Sequence, residues 1–140
     1  MKKITRRATL KLAAGFVLAG GIAMTGLSAL AFEGVDYTPA QLKALQESGT
    51  PFLIDFYTDW CVTCAAQERV LGELQAESAA YKSIPILKVD WDVHSRSDLA
   101  KGLAIPRRST LVVMDGEREL GRVVAQTSKS AIAALLDKAL

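Results

Sequence analysis

Cys61 and Cys64 are the only two cysteines in the 140-residue chain, and they stand three positions apart. Such a pair can close a staple, contribute half of a metal site, or exchange a dithiol for a disulfide. A staple is a poor use of it, because a bridge across so short a loop restricts the unfolded chain very little. A four-ligand metal site needs two further donors of the right type. His94 is the only histidine, and no other ligand is spaced to join it. Thiol exchange needs no more than the pair itself. The segment Trp60-Cys61-Val62-Thr63-Cys64 falls where an apolar run gives way to a helical pattern. At a helix start, free N–H groups and the helix dipole favour a negative charge. Cys61, placed first, is therefore expected to form its thiolate at a lower pH than a free thiol. Cys64 lies one helical turn on, along the same face. From there it can attack a mixed disulfide on Cys61 and release the bound partner.

Three neighbours bear on this chemistry. Asp55 interrupts the apolar run Pro51–Tyr57. Burial there would raise its pKa and make it a proton acceptor for Cys64. Lys88, at the matching place in the next apolar run, is expected to pair with Asp55. Asp59 would set a negative charge near Cys61 and oppose the helix dipole. Trp60 is expected to flank the cysteines as an apolar docking surface.

The elements that must hold these residues follow from periodicity. Thr38-Pro39-Ala40-Gln41 is a helix start that runs to Ser48-Gly49. Residues 51–57 form a strand apolar on both faces. A long amphipathic helix is predicted over 61–80, with Ala65, Val70, Leu71, Leu74 and Ala79 apolar. A second strand covers 84–89, and a short helix capped by Ser95 ends near Gly102. Two strands, 111–114 and 120–125, join through Asp115-Gly116 as a hairpin. A closing helix spans 128–140. The order α-β-α-β-α-β-β-α implies an α/β domain, with a central mixed sheet covered by helices on both faces.

The N-terminal 31 residues read as an address. Lys2, Lys3, Arg6, Arg7 and Lys11 are followed by an uncharged stretch over 12–31, and Ala29-Leu30-Ala31 fits a signal-peptidase site. Thr5-Arg6-Arg7-Ala8-Thr9-Leu10-Lys11 resembles a twin-arginine export signal. An ordinary secretory signal and an uncleaved anchor are the alternatives. Each puts the domain at 32–140 outside the cytoplasm, in the periplasm. The remaining 109 residues carry twelve basic and fifteen acidic side chains, a net charge of −3 without a basic run. That excludes a nucleic-acid partner that needs a clustered basic face.

Asp55-Phe56-Tyr57-Thr58-Asp59-Trp60-Cys61-Val62-Thr63-Cys64 resembles the thioredoxin signature D-F-x-A-x-W-C-x-x-C. The local text from Tyr57 to Cys64 is most similar to the C-terminal periplasmic domain of DsbD-type thiol reductases. The resemblance covers about residues 38–140 and implies a thioredoxin fold. It makes Cys61 the attacking thiolate, Cys64 the resolving thiol, Asp55 the buried acid and Lys88 its partner. It further implies a monomer without cofactor or metal. That monomer would act on protein thiols and disulfides and be recharged by a membrane electron donor of the DsbD/CcdA type. One position departs from the family. Thioredoxins place a cis-proline before a threonine opposite the cysteines, and here Ser109 precedes Thr110. Ser109 is expected to face the cysteine pair after a trans bond, with Arg107 and Arg108 lining the groove. The alternative is a loop rebuilt around Pro106. Trp60, Arg108, Ser109 and Thr110 are thus the candidate substrate-binding residues. An oxidase or isomerase on the same fold, and a redox-inactive metal module using Cys61, Cys64 and His94, are the competing functions.

Overall fold

The computed structural model describes residues 33–140, so the address read over 1–31 lies outside the described residues. Five strands form one sheet in the order β1-β3-β2-β4-β5. They are β1 (Val35–Asp36), β2 (Phe52–Tyr57), β3 (Ile86–Asp90), β4 (Thr110–Asp115) and β5 (Arg118–Val124). The first three are parallel to one another, whereas β4 runs antiparallel to both β2 and β5. The sheet is therefore mixed, as the alternation of strands and helices predicts.

The strand period of two sorts the core into two layers. Leu53, Ile86, Leu111 and Val113 point to one face, where Leu71 and Leu74 of helix α2 (Val62–Glu77) and Ile132, Leu135 and Leu136 of the closing helix cover them. Phe52, Ile54, Phe56, Leu87, Val89, Val112 and Met114 point to the other. There they meet Leu42 and Leu45 of α1 (Pro39–Glu47) and Ala100 of the short helix at Asp98–Gly102. Asp55, between Leu53 and Tyr57, shares the α2 face.

Several details differ from the sequence reading, one being that the helix at Asp98–Gly102 is capped by Ser97 and not Ser95. The edge strand β1 has only two residues, too short to show alternation. The long predicted helix stops at Glu77, where Ser78 takes an extended backbone (φ −137°) and caps a separate turn, α3 (Ala79–Lys82). A four-residue helix, α4 (Trp91–His94), follows β3 directly and is capped by Asp90. With these counted, the helix at Asp98–Gly102 is α5 and the closing helix is α6 (Lys129–Leu136). The hairpin lies where predicted, but its loop residues are Gly116 and Glu117, and β5 begins at Arg118 rather than at 120. Gly116 (φ +59°) is the first of two loop residues between Asp115 and Arg118, the position at which a type II′ turn takes glycine.

Candidate active site

β2 delivers the chain to the site and α2 begins there. Cys61 is the N-cap of α2, and its Sγ accepts the Cys64 N–H at 3.2 Å. The sulfur thus occupies the place of the oxygen of a Ser or Asp cap. Both thiols are free. The two thiols differ little in exposure, Cys61 being 6% exposed and Cys64 1%. The difference between them is electrostatic. Burial pushes Cys61 up, but hydrogen bonds from Cys64, Ser109, the Cys64 backbone and Arg108 outweigh it and bring the thiol down to about 7. Burial raises Cys64, and its hydrogen bond to Cys61 raises it further, against smaller opposing contacts from Ser109 and the Thr58 backbone.

Ser109 sits directly against the pair. Its Oγ is 3.2 Å from Cys61 Sγ and 3.1 Å from Cys64 Sγ. No cis peptide bond occurs among the described residues, so the bond before Ser109 is trans, and Pro106 is exposed. The residue pays in backbone strain, with φ at +60°. A non-glycine residue persists in that region only when its surroundings hold it there. Three hydrogen bonds do so. Its N–H donates to Phe56 O at 2.7 Å, and its carbonyl accepts from Ala125 N at 2.8 Å and from Gln67 Nε2 at 3.2 Å. Thr110, the other half of the motif, is buried and spends its hydroxyl on Arg107 O at 2.8 Å. It supports the loop and enters β4.

Trp60 is 61% exposed, and its indole N–H donates to Asp92 Oδ2 at 2.7 Å. The Arg108 guanidinium lies 4.2 Å from its ring centroid. Asp59 is exposed and is not among the main groups acting on Cys61, which are hydrogen-bond donors closer to the sulfur.

Asp55 is fully buried behind the cysteines, and neither carboxylate oxygen has a hydrogen-bond partner. Burial chiefly raises its pKa to about 7, with help from the Glu68 charge and against that of Lys88. The expected Asp55–Lys88 ion pair is not the arrangement found. The two residues are opposite one another in the β2–β3 ladder, but the Lys88 ammonium goes to Glu68 Oε1 at 2.8 Å and lies over the Tyr57 ring at 4.2 Å. Glu68 is partly solvated, so pairing there leaves Lys88 with less desolvation than joining Asp55 in the core. Lys88 still acts on Asp55 through its charge.

Two residues of α2 complete the site and were not singled out from the sequence. Gln67 is fully buried and ties the Ser109 carbonyl to Gln126 O, at 3.2 and 2.9 Å. Glu68 carries the ion pair with Lys88. Their positions, three and four residues past Cys64, were the signal available, because those offsets lie on the cysteine face of the helix. His94 instead packs edge-on against Tyr37, with ring centroids 4.9 Å apart. No group of three or more metal-ligating side chains occurs among the described residues.

A reactive thiol at a helix start, a second thiol one turn behind it and a buried acid beneath them define a thiol:disulfide oxidoreductase on a thioredoxin fold. The comparisons agree. The thioredoxin family profile matches residues 37–138, and the chain belongs to that family. Thioredoxin C-2 of Corynebacterium nephridii is 33% identical over 92 residues, covering 66% of this chain and 82% of the relative. The crystal structure of Trxlp from Edwardsiella tarda superposes with a TM-score of 0.65 at 34% identity, covering 74% of this chain and 98% of that one. The thiol:disulfide interchange protein DsbD 1 of Pseudomonas aeruginosa is 44% identical over 52 residues, 32% of this chain and 9% of its own length.

Proposed function

We propose that the protein is an exported reductant of protein disulfides. The observation that carries the direction is the donor set on Cys61 Sγ, the Cys64 N–H and the Ser109 hydroxyl each at 3.2 Å, which lowers the thiol only to about 7. Strongly oxidising members of this fold hold their attacking thiolate near 3.5, which stabilises the reduced form, whereas reductants sit near 7. The hydrogen bonds on Cys61 favour its thiolate without trapping it.

In the reaction the Cys61 thiolate attacks one sulfur of the partner's disulfide. A Cys61–partner S–S bond forms and the original S–S bond breaks, leaving one partner thiolate that takes up a proton. Cys64 then loses its proton and attacks Cys61 Sγ. The second partner thiolate leaves, two electrons have passed to the partner, and Cys61–Cys64 is a disulfide. Asp55, at about 7, has the proton affinity to accept the Cys64 proton, although the two groups are not hydrogen bonded in the resting arrangement.

The exported setting is supported by the cationic residues Lys2 to Lys11, the uncharged stretch 12–31 and Ala29-Leu30-Ala31. An oxidising compartment requires that the protein be recharged, and a membrane dithiol carrier of the DsbD/CcdA type is the donor proposed. The partial match to DsbD 1 supports that assignment. The reduction potential tests the direction. A value near ~−270 mV is expected, whereas one near ~−120 mV would make the protein an oxidase. Recovery from the periplasmic fraction with Phe32 as its first residue tests the address, and retention in the cytosol would refute it.

A further inference from the structure

We propose that Arg108, held beside Trp60, with exposed Arg107 next to it in the chain, selects protein disulfides whose reacting cysteine is flanked by an acidic side chain. The inference rests on the reductase reading and names its substrate class. Arg108 immediately precedes Ser109, whose hydroxyl touches both sulfurs. Its guanidinium lies 4.2 Å from the centre of the Trp60 ring, and Trp60 immediately precedes Cys61. The positive charge is therefore held at the mouth of the site, on a platform that the Trp60–Asp92 hydrogen bond keeps from turning. Beyond the Trp60 ring and the Cys61 sulfur, the guanidinium keeps spare donors. Arg108 Nε is buried without a partner. Neither Arg107 nor Arg108 is held by a carboxylate in an ion pair among the described residues. Arg107 is exposed beside it.

Beside this charge two exposed apolar side chains flank the cysteine. Trp60 and Val62, on either side of Cys61, are 61% and 85% exposed. A polypeptide laid across Cys61 would bury both and bring a side chain next to its cysteine against the guanidinium. Asp59 precedes Trp60 in the chain and Asp92 accepts its indole N–H, so net charge does not select an anion here; the guanidinium's fork of donors does. A carboxylate matches that fork, and a planar guanidinium stacked on a ring is pre-organised for it. The timing is also suitable. In the free protein Arg108 serves the Cys61 thiolate. Once Cys61 bonds to the partner's sulfur its negative charge passes to the leaving thiolate, and the guanidinium is released to the partner's carboxylate.

The test uses the reduced protein and three disulfide-linked peptides that differ only in the residue next to the attacked cysteine: Glu, Gln or Lys. Reduction should be fastest for Glu and slowest for Lys, with a spread of roughly tenfold at about 20 mM salt that collapses near 0.5 M. In the Arg107→Gln/Arg108→Gln variant the Glu-to-Lys ratio should approach one. That ratio is insensitive to any change in the Cys61 thiolate fraction. Arg107→Gln alone, at an exposed position, should narrow the spread without threatening the fold. Equal rates for the three peptides in the unaltered protein, or an unchanged ratio in the double variant, would overturn this proposal alone. Failure to reduce any of the three would overturn the reductase reading and the proposal with it.

Discussion

At the residue scale, the site turns on one hydroxyl. Ser109 stands where the resemblance to thioredoxins puts a cis-proline, and it holds a left-handed backbone that proline cannot adopt, since proline fixes φ near −65° and has no N–H. Ser109→Pro would both clash with φ +60° and delete the hydrogen bond to Phe56 O. It is expected to cost about 2–4 kcal/mol in urea unfolding, and a loss under ~0.5 kcal/mol would show that the loop adapts. Ser109→Ala keeps the backbone and removes only the two sulfur contacts. The pH midpoint for alkylation of Cys61 by iodoacetamide should then rise from about 7, because a donor to its thiolate is gone. Cys64, raised by burial, should react later and at higher pH in both proteins. Equal alkylation rates at the two cysteines would contradict their roles. Residue types and spacing located the pair and the buried acid, and the resemblance to thioredoxins located the serine. They did not reveal where Lys88 goes, because the choice between Asp55 and Glu68 depends on desolvation that only the packed structure sets.

At the scale of elements, α2 does more than present the cysteines. Its first three turns carry Cys64, Gln67 and Glu68 onto the sheet, so one helix face holds the resolving thiol, the brace for Ser109 and the partner of Lys88. Glu68→Gln should free Lys88 to turn to Asp55 and remove a negative neighbour, and both effects lower the Asp55 pKa from about 7. Carbon-detected NMR titration of the Asp55 carboxyl reads this directly, and an unchanged midpoint would show that Glu68 is electrically remote. The elements were readable where periodicity was long. β2, the α2 start and the β4–β5 hairpin turning at Gly116 all stand in the sequence. β1 and α4, of two and four residues, carry no period to detect. The stop at Ser78 was hidden because Ala79 and Ala80 continue the helical composition; the capping serine was the sign.

For the whole molecule, an uncompensated acid in the core makes stability depend on pH. The Asp55 pKa is raised from 3.8 to about 7 on folding, so its contribution is fully favourable below 3.8 and is lost as the pH rises to 7. Asp55→Asn removes that loss. The variant should exceed the parent by about 2–4 kcal/mol at pH 8 and by little at pH 4, while regeneration of the Cys61–Cys64 disulfide slows. A constant difference across that range would mean the carboxyl is not the titrating group. The central claim concerns the division of labour between the cysteines, and trapping tests it most directly. The full chain carrying Cys64→Ala, reduced and then offered a disulfide-bonded protein, should accumulate a mixed disulfide on Cys61, visible by intact mass and reversed by dithiothreitol. Cys61→Ala should accumulate none. If the Cys64→Ala protein forms no adduct, or the Cys61→Ala protein forms one at Cys64 at a comparable rate, Cys61 is not the attacking thiol.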